Sequence, residues 1–278
     1  MKTPLRVHIC VVGFEIDRIS SAAIQKKADK VYLISQKEKD MGRAYLEENE
    51  SKLKEKGIAV QKEFVNNISE LPDLLNAIKN IIESEDKNNL IFINISSGST
   101  LSAIAGTISS MMYDSERTIT PYYVKPEKYS EGLAKRNELA PRTEGIKDIT
   151  EILTFPMKLP SKELMIILRH LYDSEINKIN VTKKDLIEFS KEHAELRNIR
   201  EENRHTASKI EDLSKSKNLP AKNEETKQKA KDYAWINQNI ITKLKDDWDL
   251  IKIQKVGRNT YIELNDKGRN MLKYLGEH

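Results

Sequence analysis

The sequence predicts an α/β domain built on a parallel sheet, followed by a smaller, mainly helical domain. Three observations carry this reading. Short apolar runs alternate with longer amphipathic stretches through the first 125 residues. That alternation stops near residue 155, after a segment with Pro126, Pro141, Pro156 and Pro160 and few apolar runs. Beyond it, apolar residues recur at helical spacing and give way to two β-like runs around a tight turn.

In the first part, Val7–Val12, Lys30–Ile34, Ala59–Val65, Leu90–Ile95 and Thr120–Val124 read as strands. Ser20–Lys27, Gly42–Lys56, Ser69–Glu83 and Thr100–Tyr113 read as the helices between them. Nearly continuous apolar strands separated by helices imply a parallel sheet covered on both faces, a Rossmann-like arrangement over residues 1–125. Residues 126–158 read as a connector or a covering excursion. In residues 159–278, Ser161–Tyr172 places Leu164, Ile167, Leu168 and Leu171 on one stripe behind a capping serine. Thr182–Lys191 repeats the device with Thr182 as cap, and Tyr233–Trp248 carries a stripe through Ile236, Ile240, Leu244 and Trp248. Leu250–Gln254 and Tyr261–Leu264 form a hairpin, and Asp266–Leu275 a closing helix. Residues 193–229 are polar without a sustained stripe and fit either a helical extension or a disordered stretch.

The 278 residues suffice for two cores, and 38% hydrophobic with 32% charged residues describes a soluble, cytoplasmic protein with no membrane association. No apolar run reaches the roughly 18 residues of a membrane span. The single cysteine, Cys10, lies in an apolar run, which excludes disulfides and multi-cysteine metal sites and suits a small core residue. His8, His170 and His193 have no partners at metal-ligand spacing, so no metal site is expected. Residues 1–150 carry 22 basic and 22 acidic side chains and residues 151–278 carry 25 and 21, so the net charge of +4 belongs to the second half. That asymmetry permits a nucleic-acid surface there.

In a doubly wound sheet, ligands bind beyond the carboxyl ends of the strands, where small residues let backbone amides approach a phosphate. Two loops have that composition. Gly13-Phe14-Glu15-Ile16-Asp17-Arg18 follows the first strand, and Asn94-Ile95-Ser96-Ser97-Gly98-Ser99-Thr100 joins a buried strand to a helix rich in small residues. The second loop reads equally as a phosphate or ribose cradle and as a plain turn with a helix cap. Neither G-x-G-x-x-G nor a Walker lysine is present, which disfavours ordinary dinucleotide or ATP binding.

Together, Val11–Arg18 and Asn94–Gly106 resemble the CARF domains, the CRISPR-associated Rossmann folds that sense cyclic oligoadenylates, over about residues 5–125. In that family the second motif usually reads Asn-x-Ser/Thr-Gly-Gly-Thr-Lys/Arg. Here Ser97-Gly98-Ser99-Thr100 replaces the double glycine, and Leu101 stands where a basic residue is frequent. The resemblance implies a cyclic oligoadenylate ligand, no other cofactor, and a place in antiviral defence. It also implies a homodimer whose paired Gly98 loops grip the ligand at the two-fold. Gly13, Phe14, Asp17, Arg18, Asn94, Ser96, Ser97, Gly98, Ser99 and Thr100 would then line the pocket.

Leu250–Gly268, two strands meeting at Val256-Gly257-Arg258-Asn259, resembles winged helix-turn-helix regulators. The resemblance implies double-stranded DNA as partner, with Lys255 and Arg258 on the wing and Lys231, Asn237, Gln238, Asn239 and Lys243 on the preceding helix. A winged helix serving only as a dimerisation or packing module fits the same residues. Arg200-x4-His205 also fits the spacing of the HEPN ribonucleases. The expectation is therefore a ligand-responsive transcription regulator. The alternative is a nuclease, either a ribonuclease using Arg200 and His205 or a ring nuclease degrading its own cyclic oligoadenylate.

Overall fold

The computed structural model describes residues 3–37, 42–113, 117–130, 140–198, 224–257 and 259–275. The chain divides into two compact units between Leu159 and Pro160.

The first unit is a six-stranded sheet. Strands β1 (Arg6–Val11), β2 (Lys30–Gln36), β3 (Ala59–Val65), β4 (Leu90–Asn94) and β5 (Ile119–Lys125) are parallel to their neighbours in the order β3-β2-β1-β4-β5. The helices α1 (Ala22–Gln25), α2 (Arg43–Glu55), α3 (Leu71–Ser84) and α4 (Thr100–Tyr113) connect them. α1 is entered through a wider helical turn, Asp17–Ser21. β1 and β2 are buried along nearly their whole length, as strands covered on both faces must be. One layer packs Val7, Ile9, Val11, Ile91 and Ile93 against Leu74, Ile78, Ile81 and Ile82 of α3 and Ala105 of α4. The other packs Cys10, Val31 and Leu33 against Ile19, Ala23, Leu46 and Leu53. The Rossmann-like arrangement expected from the apolar alternation is thus the observed one.

Residues 126–158, read as a connector or a covering excursion, extend the first domain. β6 (Lys128–Tyr129) and β7 (Thr143–Glu144) form a short antiparallel ladder, and β8 (Asp148–Glu151) pairs antiparallel with β5 as the sixth strand. β8 is an edge strand held by backbone bonds, so Asp-Ile-Thr-Glu needs no apolar alternation and gave no strand signal.

Within the sheet, His8 is fully buried, its Nδ1 3.0 Å from the Tyr122 hydroxyl and its ring stacked on Phe92 at 5.0 Å. Burial, with the cations of Lys26 and Arg6 nearby, pushes its pKa from 6.5 down to about 3. Burial likewise pushes the Cys10 thiol up to about 12, which leaves it an inert core residue.

The second unit begins with α5 (Lys162–Ile176), which buries Leu164, Met165, Ile167, Leu168 and Leu171. α6 (Lys183–Glu192) starts at a full capping box between Thr182 and Asp185. α7 (Glu224–Ile236) continues through two wider helical turns, Asn237–Ile241 and Lys243–Asp247, and buries Ile236, Ile240, Ile241 and Leu244. The hairpin β9 (Ile251–Val256) and β10 (Asn259–Leu264) follows, then α8 (Asp266–Leu275). Thr182 also bridges Tyr261, and Ile262 N–H donates to the Val181 carbonyl at 2.9 Å, which adds a third short strand to the hairpin. Helix, strand, helix, helix, hairpin is the winged-helix order.

A Cβ on Gly268 would lie 2.2 Å from the Leu250 carbonyl oxygen, whereas one on Gly257, at the wing tip with φ +61°, meets nothing within 4 Å. Gly268→Ala should therefore cost about 3 kcal/mol and Gly257→Ala about 1 kcal/mol, compared by urea unfolding. For His8, the unfolded imidazole takes up a proton near 6.5 and the folded one only near 3, so the unfolded state binds more protons in between. Stability is fully present above about 6.5 and falls with pH through that window, at up to about 1.4 kcal/mol per pH unit. His8→Leu should flatten the loss between pH 6.5 and 4.5; an unchanged slope would place the acid sensitivity elsewhere.

Candidate functional site

The strand order reverses direction between β1 and β4, and the two loops singled out in the sequence are the two that leave the carboxyl ends of these strands. They touch. A Cβ on Gly13 would sit 2.7 Å from the backbone nitrogen of Gly98 and 2.9 Å from its Cα, so backbone meets backbone at this point. Gly98 has φ +79°, in the left-handed region, and a Cβ there would meet the Ser102 hydroxyl at 2.6 Å.

Most of the polar side chains in these loops build the site rather than face outward. Asn94 is buried; its Nδ2 donates to the Arg18 carbonyl at 2.6 Å and its Oδ1 accepts from Ser96 N–H at 2.9 Å. The Ser96 hydroxyl accepts from Val124 N–H at 2.5 Å, and the buried Ser97 hydroxyl donates to the Val11 carbonyl at 2.6 Å. Arg18 is 7% exposed: its Nε donates to the Val124 carbonyl at 3.0 Å, its guanidinium lies 3.4 Å from Glu15, and it stacks 5.1 Å over the Tyr123 ring. Asp17 accepts from Gly145 N–H at 2.9 Å and from the Ser21 hydroxyl at 3.0 Å.

What remains outward is Gly98, Ser99 and Thr100, all exposed, with Gly13 and Phe14 half-buried beside them. Ser99 caps α4: its carbonyl accepts from Ser102 N–H at 3.0 Å and from Ala103 N–H at 3.2 Å. The amides at the start of α4 and the helix dipole therefore open beside two glycines, a surface suited to an anionic group that the backbone can approach closely.

The sequence reading missed a third contributor. Arg142 N–H donates to the Phe14 carbonyl at 2.9 Å, and its guanidinium lies 4.9 Å over the Phe14 ring. The neighbouring Thr143 hydroxyl donates to Glu15 in a short hydrogen bond. The Tyr45 hydroxyl donates to the Ala140 carbonyl at 2.7 Å, while its ring packs edge-on against Phe14. The segment around β7 is thereby fastened over the first loop. The only sequence signal for it was Pro141-Arg142-Thr143 followed by Gly145, a turn-rich polar stretch with no period.

In the second unit, Lys231, Gln238, Lys243 and Lys255 are exposed. Asn237 is half-buried and its Oδ1 accepts from Lys183 of α6 at 2.9 Å; Asn239 is half-buried and donates to the Trp235 carbonyl at 3.1 Å. Consecutive helix positions point about 100° apart, so the three amides do not share one outward face. Arg258, Arg200 and His205 lie outside the described residues. Among the described residues, no cluster of three or more His, Cys, Asp or Glu is placed to hold a metal, and no helix is long and apolar enough to cross a membrane.

The fold and its two loops define a Rossmann-like domain joined to a winged-helix domain. Residues 6–129 match the family model described as HFX_2341_N-like, N-terminal, and residues 163–276 match the DUF6293 C-terminal winged helix domain. A protein of Methanocaldococcus jannaschii, named Uncharacterized protein MJ1513, is 29% identical over 97% of this chain and 96% of its own length. Among solved structures, the chain is similar to Enterococcus italicus Csm6 bound to cyclic hexa-2'-fluoro-hexa-dAMP, with 10% identity, a TM-score of 0.40, and coverage of 75% of this chain and 56% of that one. It is also similar to Can2 from Sulfobacillus thermosulfidooxidans in complex with cyclic tetra-adenylate, with 9% identity, a TM-score of 0.37, and coverage of 98% and 64%. A third is protein VC1899 from Vibrio cholerae, with 12% identity, a TM-score of 0.38, and coverage of 93% and 75%. The chain thus spans less than two thirds of the length of the first two.

A pair of glycine variants tests the loop contact. Gly13→Ala pushes a methyl into the Gly98 backbone and should lower stability by about 2 kcal/mol while parting the loops. Gly57→Ala is the control, since its φ of +74° carries strain but no atom lies within 4 Å of the added Cβ. Equal losses of melting temperature in the two variants would show that conformational strain, and not the loop contact, sets the cost.

Proposed function

We propose that the protein is a ligand-responsive transcription regulator. A nucleotide second messenger of the cyclic oligoadenylate type binds where the Gly13 and Gly98 loops meet, and its binding changes the affinity of the winged helix for double-stranded DNA. The observation that carries this reading is the backbone contact of two loops at Gly13 and Gly98, at the β1/β4 switch point beside the amino end of α4. An anion receptor built from backbone amides suits a phosphodiester, and the absence of a Walker lysine or dinucleotide motif turns the choice away from ATP and NAD. The motif resemblance of Val11–Arg18 and Asn94–Gly106 to CARF domains supplies the ring-shaped adenylate and the homodimer in which two such loops oppose one another. The winged-helix domain in the same chain supplies the output, with Gln238, Lys231, Lys243 and Lys255 as exposed groups able to meet DNA. Asn237 and Asn239, tied to Lys183 and to Trp235, hold the helix.

The test is a mobility-shift titration of the full chain on a duplex spanning its own promoter, with and without cyclic tetra-adenylate. Coupling of ordinary size would shift the DNA dissociation constant by about 5- to 150-fold. Gln238→Ala should relax sequence preference, while Lys255→Ala weakens all duplexes alike and lowers the salt dependence by about one counterion. A ligand that binds without altering DNA affinity or its salt slope would overturn the gating. Cleavage of labelled cyclic tetra-adenylate or single-stranded RNA under the same conditions would replace the regulator with a nuclease.

A further inference from the structure

We infer that Arg142 is the cation of the candidate site, pairing with a phosphodiester group of a nucleotide held between the Gly13 and Gly98 loops. The inference rests on the ligand reading given above and adds to it a residue from outside both loops.

Neither loop supplies such a group. Gly13–Arg18 holds one cation and two carboxylates. Arg18 is withdrawn from the surface, its guanidinium engaged with Glu15, the Val124 carbonyl and the Tyr123 ring. Asn94–Thr100 contains no charged residue, and Leu101 follows it. A phosphodiester arriving there would meet helix amides but no mobile positive charge from either loop.

Arg142 stands beside that surface and is fixed to it. Its N–H bonds the Phe14 carbonyl, its carbonyl accepts from Ser130 N–H at 2.9 Å, and the next residue, Thr143, is buried against Glu15. Thr143, the first residue of β7, is buried, whereas Arg142 just before the strand is exposed. Its guanidinium lies over the Phe14 ring, one residue from Gly13, and the side chain is exposed. Of the two carboxylates in the Gly13–Arg18 loop, Glu15 is paired with Arg18 and accepts from the Thr143 hydroxyl, and Asp17 accepts from Gly145 N–H and the Ser21 hydroxyl. An arginine resting on an aromatic face can still present its planar fork to an oxyanion. A backbone tied on both sides means little freedom is lost when a ligand arrives.

The alternative is that Arg142 only packs on Phe14. Isothermal titration of the full chain with cyclic tetra-adenylate, at two salt concentrations, separates the two for wild type, Arg142→Gln and Arg142→Lys. Arg142→Gln retains the backbone bond to Phe14 and much of the side-chain length. It should lose about ten- to hundredfold in affinity and part of the salt dependence, with the melting temperature nearly unchanged. Arg142→Lys should recover part of the affinity, because the charge returns without the fork. Wild-type affinity in Arg142→Gln, or a lowered melting temperature with unchanged affinity per folded molecule, overturns the role of Arg142 and leaves the ligand reading standing. No binding of cyclic tetra-adenylate by wild-type protein overturns both.

Discussion

The first domain is organised around one close approach, that of the Gly13 and Gly98 backbones. β1 and β4 are neighbours in register, Cys10 opposite Asn94, so the loops leaving them emerge side by side and must share one space. A side chain at Gly13 would force them apart, and one at Gly98 would run into Ser102 and Val11. The polar residues around the contact then have a common purpose. Asn94 ties the second loop to the carbonyl of Arg18, Ser97 ties it back to Val11, and Ser96 reaches across to β5. Each of these bonds satisfies a buried polar atom, and together they keep two otherwise unsupported turns rigid.

The same constraint explains where charge is spent. A buried arginine is tolerable only when paired and hydrogen-bonded, and Arg18 is both. Its position closes the base of the site and orients Glu15, which in turn holds Thr143. From that contact the segment after β5 becomes part of the domain, because it is anchored through Glu15, Asp17, Phe14 and Tyr45 at four separate points. The sheet edge is finished by β8, which reverses direction against β5 and turns a mostly exposed face outward.

The sequence made legible whatever is written in local periodicity. The helix Thr100–Tyr113, the closing helix Asp266–Leu275 and the capping threonine of α6 could be read directly, since each depends on residues a few positions apart. The two candidate loops could be placed too, because a small-residue turn after a buried strand has few structural uses. What escaped is non-local. That Arg18 is buried depends on Val124, 106 residues later. That Asn237 faces Lys183 depends on how α6 packs against α7, and periodicity within one helix carries no trace of it. β8 pairs through its backbone, so its side chains gave no pattern, and a proline-rich approach disguised the strand as a connector. Arg142 was hidden for the same reason: it reads as one polar residue among many until its backbone is seen bonded to Phe14.

Thr182 belongs to two elements at once. Its backbone bridges Tyr261 on the wing, while its side chain closes the first turn of α6 through Asp185. The root of the wing and the start of the helix-turn-helix are consequently joined at a single residue with no slack between them. The wing root and the first turn of α6 are therefore held in one register, so that a change at Thr182 disturbs both elements together.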